Sequence, residues 1–177
     1  MNKEGWFVSI GSNIDPEVNV VRIVEKLIGI FDKLHISPLA FTQPVNIDTE
    51  KVFVNGVVFI ESDEDAASLK SSLQSIEVAM GRPLDDAQRK IKDRSVDLDI
   101  LCRYEAGDEA RVVEQIPRES YIRPLFILLA MKLNLLKTCR VKLCGPTVTL
   151  LIDGSLFGKA SATIYRDSDA GRIVVVE

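Results

Sequence analysis

Residues 93–101 read Asp-Arg-Ser-Val-Asp-Leu-Asp-Ile-Leu. Val96, Leu98 and Ile100 alternate with Ser95, Asp97 and Asp99, the period-2 pattern of a strand with one apolar and one polar face. On such a strand the carboxylates of Asp97 and Asp99 point the same way, with Cα atoms roughly 7 Å apart. Carboxylates at that spacing can hold one Mg²⁺ or bracket two metals roughly 4 Å apart. Without a cation the two like charges repel, and one of the two carboxyls should hold its proton more tightly. On that ground, removing either acid should leave the ligand-free protein no less stable. Arg94, three residues before Asp97, could offset the charge or reach a phosphate. Taken alone, the same Asp-x-Asp also fits a solvated strand edge.

The rest of the chain limits the chemistry available. It has 177 residues with one histidine and three cysteines. Cys102, Cys139 and Cys144 form no Cys-x-x-Cys pair, which argues against a disulfide framework or a zinc site and fits a reducing compartment. His35 sits between Leu34 and Ile36 and reads as a structural residue at the start of a strand, so a mechanism must work with carboxylates and arginines. A net charge of −4 argues against a nucleic-acid-binding surface. No leader and no apolar run of membrane-spanning length is visible, and we expect a cytoplasmic protein without membrane contact, monomeric or a weak homodimer.

The elements that must position these residues follow from periodicity. Trp6 to Ile10 reads as a first strand broken by Gly11-Ser12-Asn13. Asp15 as N-cap and Pro16 at the first position open a helix running to about Lys33, on the spacing of Val20, Ile23, Val24, Leu27, Ile28 and Phe31. Ile36 to Phe41 and Val52 to Ile60 read as strands, with a loop between them. Asp63 to Ala66 caps a second helix, marked by Leu69, Leu73, Ile76 and Met80 and ended by Gly81. Arg82 to Arg94 is a long polar segment expected to stay open until ligands order it. The Asp-x-Asp strand follows, to about Tyr104. Arg111 to Gln115 suggests an extra strand, and Pro124 to Leu133 an apolar helix. Beyond Asn134 lie strand-like pieces at 141–143, 147–153, 160–165 and 172–176. The order strand, helix, strand, strand, helix, strand predicts an α+β, ferredoxin-like βαβ-βαβ sandwich with both helices on one face. Residues 134–177 read as a β-rich C-terminal extension of the same domain as residues 1–133.

The series Gly11-Ser12-Asn13, Phe53-x-Asn55, Glu77-x-x-x-Gly81-Arg82, Asp97-Leu98-Asp99-Ile100, Ile116-Pro117-Arg118 and Arg123-Pro124-Leu125 resembles 6-hydroxymethyl-7,8-dihydropterin pyrophosphokinase, over roughly residues 5 to 130. The resemblance implies a ferredoxin-like fold and transfer of pyrophosphate from ATP to the hydroxymethyl group of a reduced pterin, with release of AMP. It implies two Mg²⁺ ions on Asp97 and Asp99, and Arg82 and Arg94 as catalytic contacts to phosphate. A pterin site would draw on Thr42, Gln43, Pro44, Phe53, Asn55 and Tyr121, with Phe53 and Tyr121 placed to stack on the ring. A nucleotide site would draw on Gln74, Glu77, Ile100, Arg118 and Arg123. The chain departs from the family pattern in the long loop: Lys90-Ile91-Lys92-Asp93-Arg94 stands where the family carries Arg-Trp-Gly-Pro-Arg, and Leu84 replaces an arginine. Arg118 stands where a histidine is common, and the segment before Pro124 is a few residues short. The alternative reading is a diverged, non-catalytic relative that binds a pterin or nucleotide as a sensor or interaction module.

Overall fold

The computed structural model describes residues 4–85, 88 and 91–177. Thirteen elements are found among them: β1 (Gly5–Ser12), α1 (Pro16–Phe31), β2 (Lys33–Ile36), β3 (Ala40–Thr42), β4 (Phe53–Glu61), α2 (Ala66–Ala79), β5 (Asp97–Tyr104), α3 (Glu109–Glu114), α4 (Arg123–Lys132), β6 (Leu150–Ile152), β7 (Ser155–Phe157), β8 (Ala162–Asp167) and β9 (Arg172–Val176). The main sheet runs β5-β1-β4-β2-β8-β9 with β3 also on β4, and every pairing is antiparallel.

Both faces of this sheet are covered. That is why β1 and β4 are apolar at nearly every position instead of alternating. Trp6, Val8 and Ile10 face α1, α2 and the tail, joining Ile23, Leu27, Leu69 and Leu73 with Leu150, Phe157 and Ile164. Phe7, on the other face, packs with Val57, Phe59 and Tyr104 against Val112 of α3 and Leu125, Phe126 and Leu129 of α4. So α1 and α2 share a face, as expected, while the opposite face is closed by α3 and α4.

Several local expectations are corrected. Asp15 precedes α1 at φ 40 without a side-chain cap bond; Asn19 Nδ2 instead donates to the Ile14 carbonyl at 2.6 Å. The strand expected over Ile36 to Phe41 divides into β2 and β3, because Ser37-Pro38 interrupts it and proline cannot donate to a ladder. The segment around Arg111 is helical, started by Asp108, whose carboxylate accepts from the Arg111 amide at 3.3 Å. No strand forms at 141–143, whereas β7 pairs with β6 across the Asp153-Gly154 turn. The tail's β8 and β9 extend the main sheet from β2. His35 is held by Thr163 Oγ1 at 2.9 Å and Glu61 Oε1 at 3.0 Å, which ties β2 to β8 and β4. Among the described residues no helix is long and apolar enough to cross a membrane.

Candidate active site

The site starts from one register. On central strand β1, Gly11 stands opposite Asn55 of β4 and Asp97 of β5. Directly opposed residues project to the same face of a sheet, so Asn55 and Asp97 flank a position that has no side chain. A Cβ on Gly11 would lie 2.4 Å from Asn55 Oδ1, so only glycine leaves this gap open. Period 2 adds Phe53 to the same face of β4 and Asp99 to the same face of β5. Thr42, at the end of β3, accepts a 2.6 Å hydrogen bond from Asn55 Nδ2 and so fixes the orientation of that amide.

Two adjoining cavities open here. The larger, about 620 Å³, is lined by Lys70, Leu73, Gln74 and Glu77 of α2, by Asp97, Leu98, Asp99 and Ile100 of β5, and by Arg82, Arg94 and Tyr121. The smaller, about 50 Å³, is lined by Gln43, Val45, Ile47, Phe53 and Asn55. Arg94, Asp97 and Tyr121 form the wall common to both. The Arg94 guanidinium carbon lies 5.9 Å from the centroid of the Phe53 ring, so the arginine covers an aromatic face that a flat ligand would use. A 50 Å³ space holds one or two water molecules. A flat heterocycle stacking on Phe53 therefore requires Arg94 to swing away.

Charge in the cleft is organised by the end of α2. The Gly81 amide donates to Val78 and the Arg82 amide to Glu77, with Gly81 at φ 83, the bonding pattern that closes a helix through a left-handed residue. This turn folds Arg82 back into the protein. Its Nη1 lies within hydrogen-bond reach of Glu77 Oε1, Asp97 Oδ1 and, at 3.0 Å, the Val96 carbonyl, which share its two N–H groups. Arg94 Nη1 holds the other Asp97 oxygen at 2.9 Å. Asp99 is the more exposed of the two acids, but desolvation in the cleft first, and then the charges of Asp97 and Glu77, hold its carboxyl above the ordinary aspartate range. Burial likewise raises the Tyr121 phenol, followed by the charges of Glu119, Asp97 and Asp99. The two acids are therefore inequivalent. Losing Asp97 would strip a buried arginine of a partner, whereas losing Asp99 would relieve repulsion, so on this geometry only the loss of Asp99 is expected to leave stability undiminished.

The sequence reads Gly11-Ser12-Asn13 as a break after the first strand, but β1 continues through Gly11 and Ser12 because they stay paired with β4. Ser12 and Asn13 also grip the far end of the long polar segment. Asn13 Oδ1 accepts from the Arg94 amide at 2.7 Å, and its Nδ2 donates to Asp93 Oδ1 at 2.7 Å. The Asn13 amide and the Ser12 hydroxyl both donate to the Arg94 carbonyl. Lys51 pairs with Asp93 at 2.8 Å and is the largest cause of that carboxyl lying below its ordinary value. Lys70, Val45 and Ile47 also escaped notice. A lysine on an exposed helix turn and two apolar loop residues carry no pattern that separates them from ordinary surface positions.

Of the residues singled out from the sequence, Arg82, Arg94, Asp97, Asp99, Gln74, Glu77, Ile100, Gln43, Phe53, Asn55 and Tyr121 line the two cavities. Thr42 touches them through Asn55. Pro44, Arg118 and Arg123 line neither, and Arg123 Nη1 points to the Pro117 carbonyl at 3.4 Å. Within the segment 82–94, Asp86, Ala87, Arg89 and Lys90 lie outside the described residues, and so does the expectation that ligands order it. Among the described residues no cluster of three or more His, Cys, Asp or Glu forms a metal cage. The Asp97/Asp99 pair nevertheless suits magnesium, which takes one or two carboxylates and completes its shell with water and substrate phosphate. The repulsion that Asp97 and Glu77 exert on Asp99 would be relieved by such a cation.

Comparison with known proteins bears on this geometry. The family model for 7,8-dihydro-6-hydroxymethylpterin-pyrophosphokinase (HPPK) matches residues 7–134. The folic acid synthesis protein fol1 of Schizosaccharomyces pombe (strain 972 / ATCC 24843) is 33% identical over 133 residues, covering 69% of this chain and 17% of that protein. The chain thus spans about a sixth of the length of that relative. The matched region runs from within β1 through α4 and holds every side chain lining the two cavities. The chain belongs to the 7,8-dihydro-6-hydroxymethylpterin-pyrophosphokinase family.

Proposed function

We propose that the protein transfers the β,γ-pyrophosphoryl group of ATP to the hydroxymethyl oxygen of 6-hydroxymethyl-7,8-dihydropterin. The observation that carries the reading is the juxtaposition, across Gly11, of an amide pinned in orientation (Asn55) and a carboxylate pair (Asp97 and Asp99). The first suits the donor and acceptor edge of a pterin, and the second suits magnesium triphosphate. The order β5-β1-β4-β2, with α1 and α2 as crossovers on one face, supports a ferredoxin-like assignment. Residues 1–133 would form the catalytic unit and 134–177 its extension.

In this reading the pterin enters between Phe53 and Tyr121 as Arg94 leaves the Phe53 ring, and Asn55 and Thr42 read its edge. The hydroxymethyl oxygen attacks the β-phosphorus in line. The bond from that phosphorus to the α,β-bridging oxygen breaks, AMP departs, and the hydroxyl proton is lost to solvent. Bound at Asp97 and Asp99, two Mg²⁺ ions would supply charge neutralisation on the triphosphate. Arg94, freed from Phe53, is positioned to donate paired hydrogen bonds to phosphate oxygens. Arg82 holds Glu77 and Asp97 in place. Gln74, Glu77, Lys70 and Ile100 line the larger cavity, where the nucleotide would lie. Catalysis of this kind is positioning and electrostatics, which agrees with a site holding no histidine.

The test is AMP release from ATP and reduced hydroxymethylpterin in the presence of Mg²⁺. Turnover that depends on all three, and is abolished by Asp99→Asn, supports the reading. Saturable binding of both ligands with no AMP formed would favour the non-catalytic alternative instead.

A further inference from the structure

The segment after residue 134 lies outside the family-matched region and lines neither cavity, yet part of it is bonded to the chain segments that carry two walls of the smaller one. We propose that residues 144–148 are a clamp that positions the pterin-side walls of the site; the inference rests on the functional reading above. Three contacts carry it. First, the Cys144 thiol donates to the Ser120 carbonyl at 2.8 Å, one residue before Tyr121, which lines both cavities. Second, the chain from Pro146 to Val148 lies alongside β3 as an added strand: the Phe41 amide donates to Pro146 at 2.9 Å, the Val148 amide donates to Leu39 at 3.0 Å, and Ala40 bridges Thr147. Thus β3, only three residues long, is held on one edge by β4 and on the other by the tail, and it ends in Thr42, the partner of Asn55.

Third, Gly145 sits so close to this strand that a Cβ would stand 2.0 Å from the Phe41 carbonyl oxygen. A methyl group there has no flexible neighbour to displace, only backbone. Either the clamp lifts from β3 or β3 shifts along β4 and carries Thr42 with it. One short tail segment therefore sets the separation between the Tyr121 wall and the Thr42–Asn55 wall, the gap a flat ring must fill.

The variants Gly145→Ala, Cys144→Ala and Cys144→Ser separate this from a general loss of stability. Binding of 6-hydroxymethyl-7,8-dihydropterin and of a non-hydrolysable ATP analogue is measured by calorimetry. Exchange of the Phe41 amide is measured by NMR without ligands. Gly145→Ala is expected to weaken pterin binding about tenfold, leave nucleotide binding within about twofold, and speed exchange at Phe41. Cys144→Ala is expected to weaken pterin binding about threefold, and Cys144→Ser, which keeps a donor, to restore it. Equal losses for both ligands, or unchanged pterin binding in Gly145→Ala, would overturn the clamp. If the wild-type protein binds no reduced pterin, the functional reading fails. Faster Phe41 exchange in Gly145→Ala would then still uphold the clamp as a positioner of these two walls, and unchanged exchange would overturn it.

Discussion

At the scale of single residues, the proposed function rests on one missing side chain and on two acids expected to affect stability in opposite directions. Gly11→Ala would place a methyl group against the Asn55 amide oxygen, and Asn55→Ala would remove the amide itself. Each is expected to weaken pterin binding by about 1–3 kcal/mol while sparing nucleotide, a difference that calorimetry with each ligand separately would expose. The acids divide by pH. Asp99 holds its proton more tightly folded than unfolded, because of desolvation in the cleft first and then the charges of Asp97 and Glu77. For an acid raised in this way, ionisation costs stability. The cost is absent below the ordinary aspartate value and complete above the raised one. Asp99→Asn should therefore raise the urea midpoint at about pH 7 and change nothing at about pH 3. Asp97→Asn should lower the midpoint at neutral pH by the equivalent of about 1–3 kcal/mol, since Arg82 and Arg94 lose a charged acceptor. Both variants should lose magnesium-dependent turnover. An Asp97 variant as stable as wild type would show that the two arginines find other partners.

At the scale of elements, α2 shows how a helix end becomes part of a site. Its start is secured by Asp65, whose carboxylate accepts from the Ser68 amide at 2.8 Å, and that bond is the largest cause of the carboxyl lying below its ordinary value. An acid lowered in this way contributes stability above its unfolded pKa and loses it as pH falls through the folded one. Asp65→Ala should therefore destabilise at neutral pH, and its deficit relative to wild type should vanish in acid. At the other end, Gly81→Ala forces a side chain into φ 83 and should cost about 1–2 kcal/mol. It should also reduce turnover, because the same turn aims Arg82 at Glu77 and Asp97; normal activity in a destabilised variant would uncouple the two. These boundaries were readable from sequence because caps and glycine stops are local signals: the cap falls within Asp63 to Ala66, at Asp65, and Gly81 and the β5 alternation stand where the pattern placed them. Other features depend on partners distant in the chain. The second edge of β3 needs the tail as a partner, and the role of Asn13 needs Arg94, 81 residues away. Nor could helical propensity reveal that Arg111 lies in a turn and a half of helix started by Asp108, because the segment is short enough to read either way. The cleft residues were legible as a series of motifs. The covering of Phe53 by Arg94 was not, since two side chains meet there from different elements.

For the whole molecule, the question is whether residues 134–177 are an addition or part of the fold. The tail inserts Val148, Leu150, Ile152, Phe157, Ala162, Ile164 and Ile173 into the cluster formed by α1, α2 and one face of the sheet, each nearly or wholly buried. Burial of a Val, Leu, Ile or Phe side chain contributes roughly 1.5–3 kcal/mol. Their sum is comparable with the whole net stability of an ordinary domain, about 5–15 kcal/mol. Without the tail, β2 would also present an open edge where β8 now pairs, and β3 would lose one of its two neighbours. A chain ending after Asn134 contains every cavity-lining side chain, and the family-matched region ends at the same residue. It should nevertheless fail to fold cooperatively. The expected result is loss of a sharp thermal transition, binding of a hydrophobic dye and self-association, with neither pterin nor nucleotide bound. Supplying residues 135–177 as a separate peptide should restore a transition whose midpoint rises with peptide concentration, as mass action requires of a noncovalent complex. A truncated chain that melts cooperatively on its own and binds nucleotide would instead show that the tail is an independent layer laid over a self-sufficient catalytic unit.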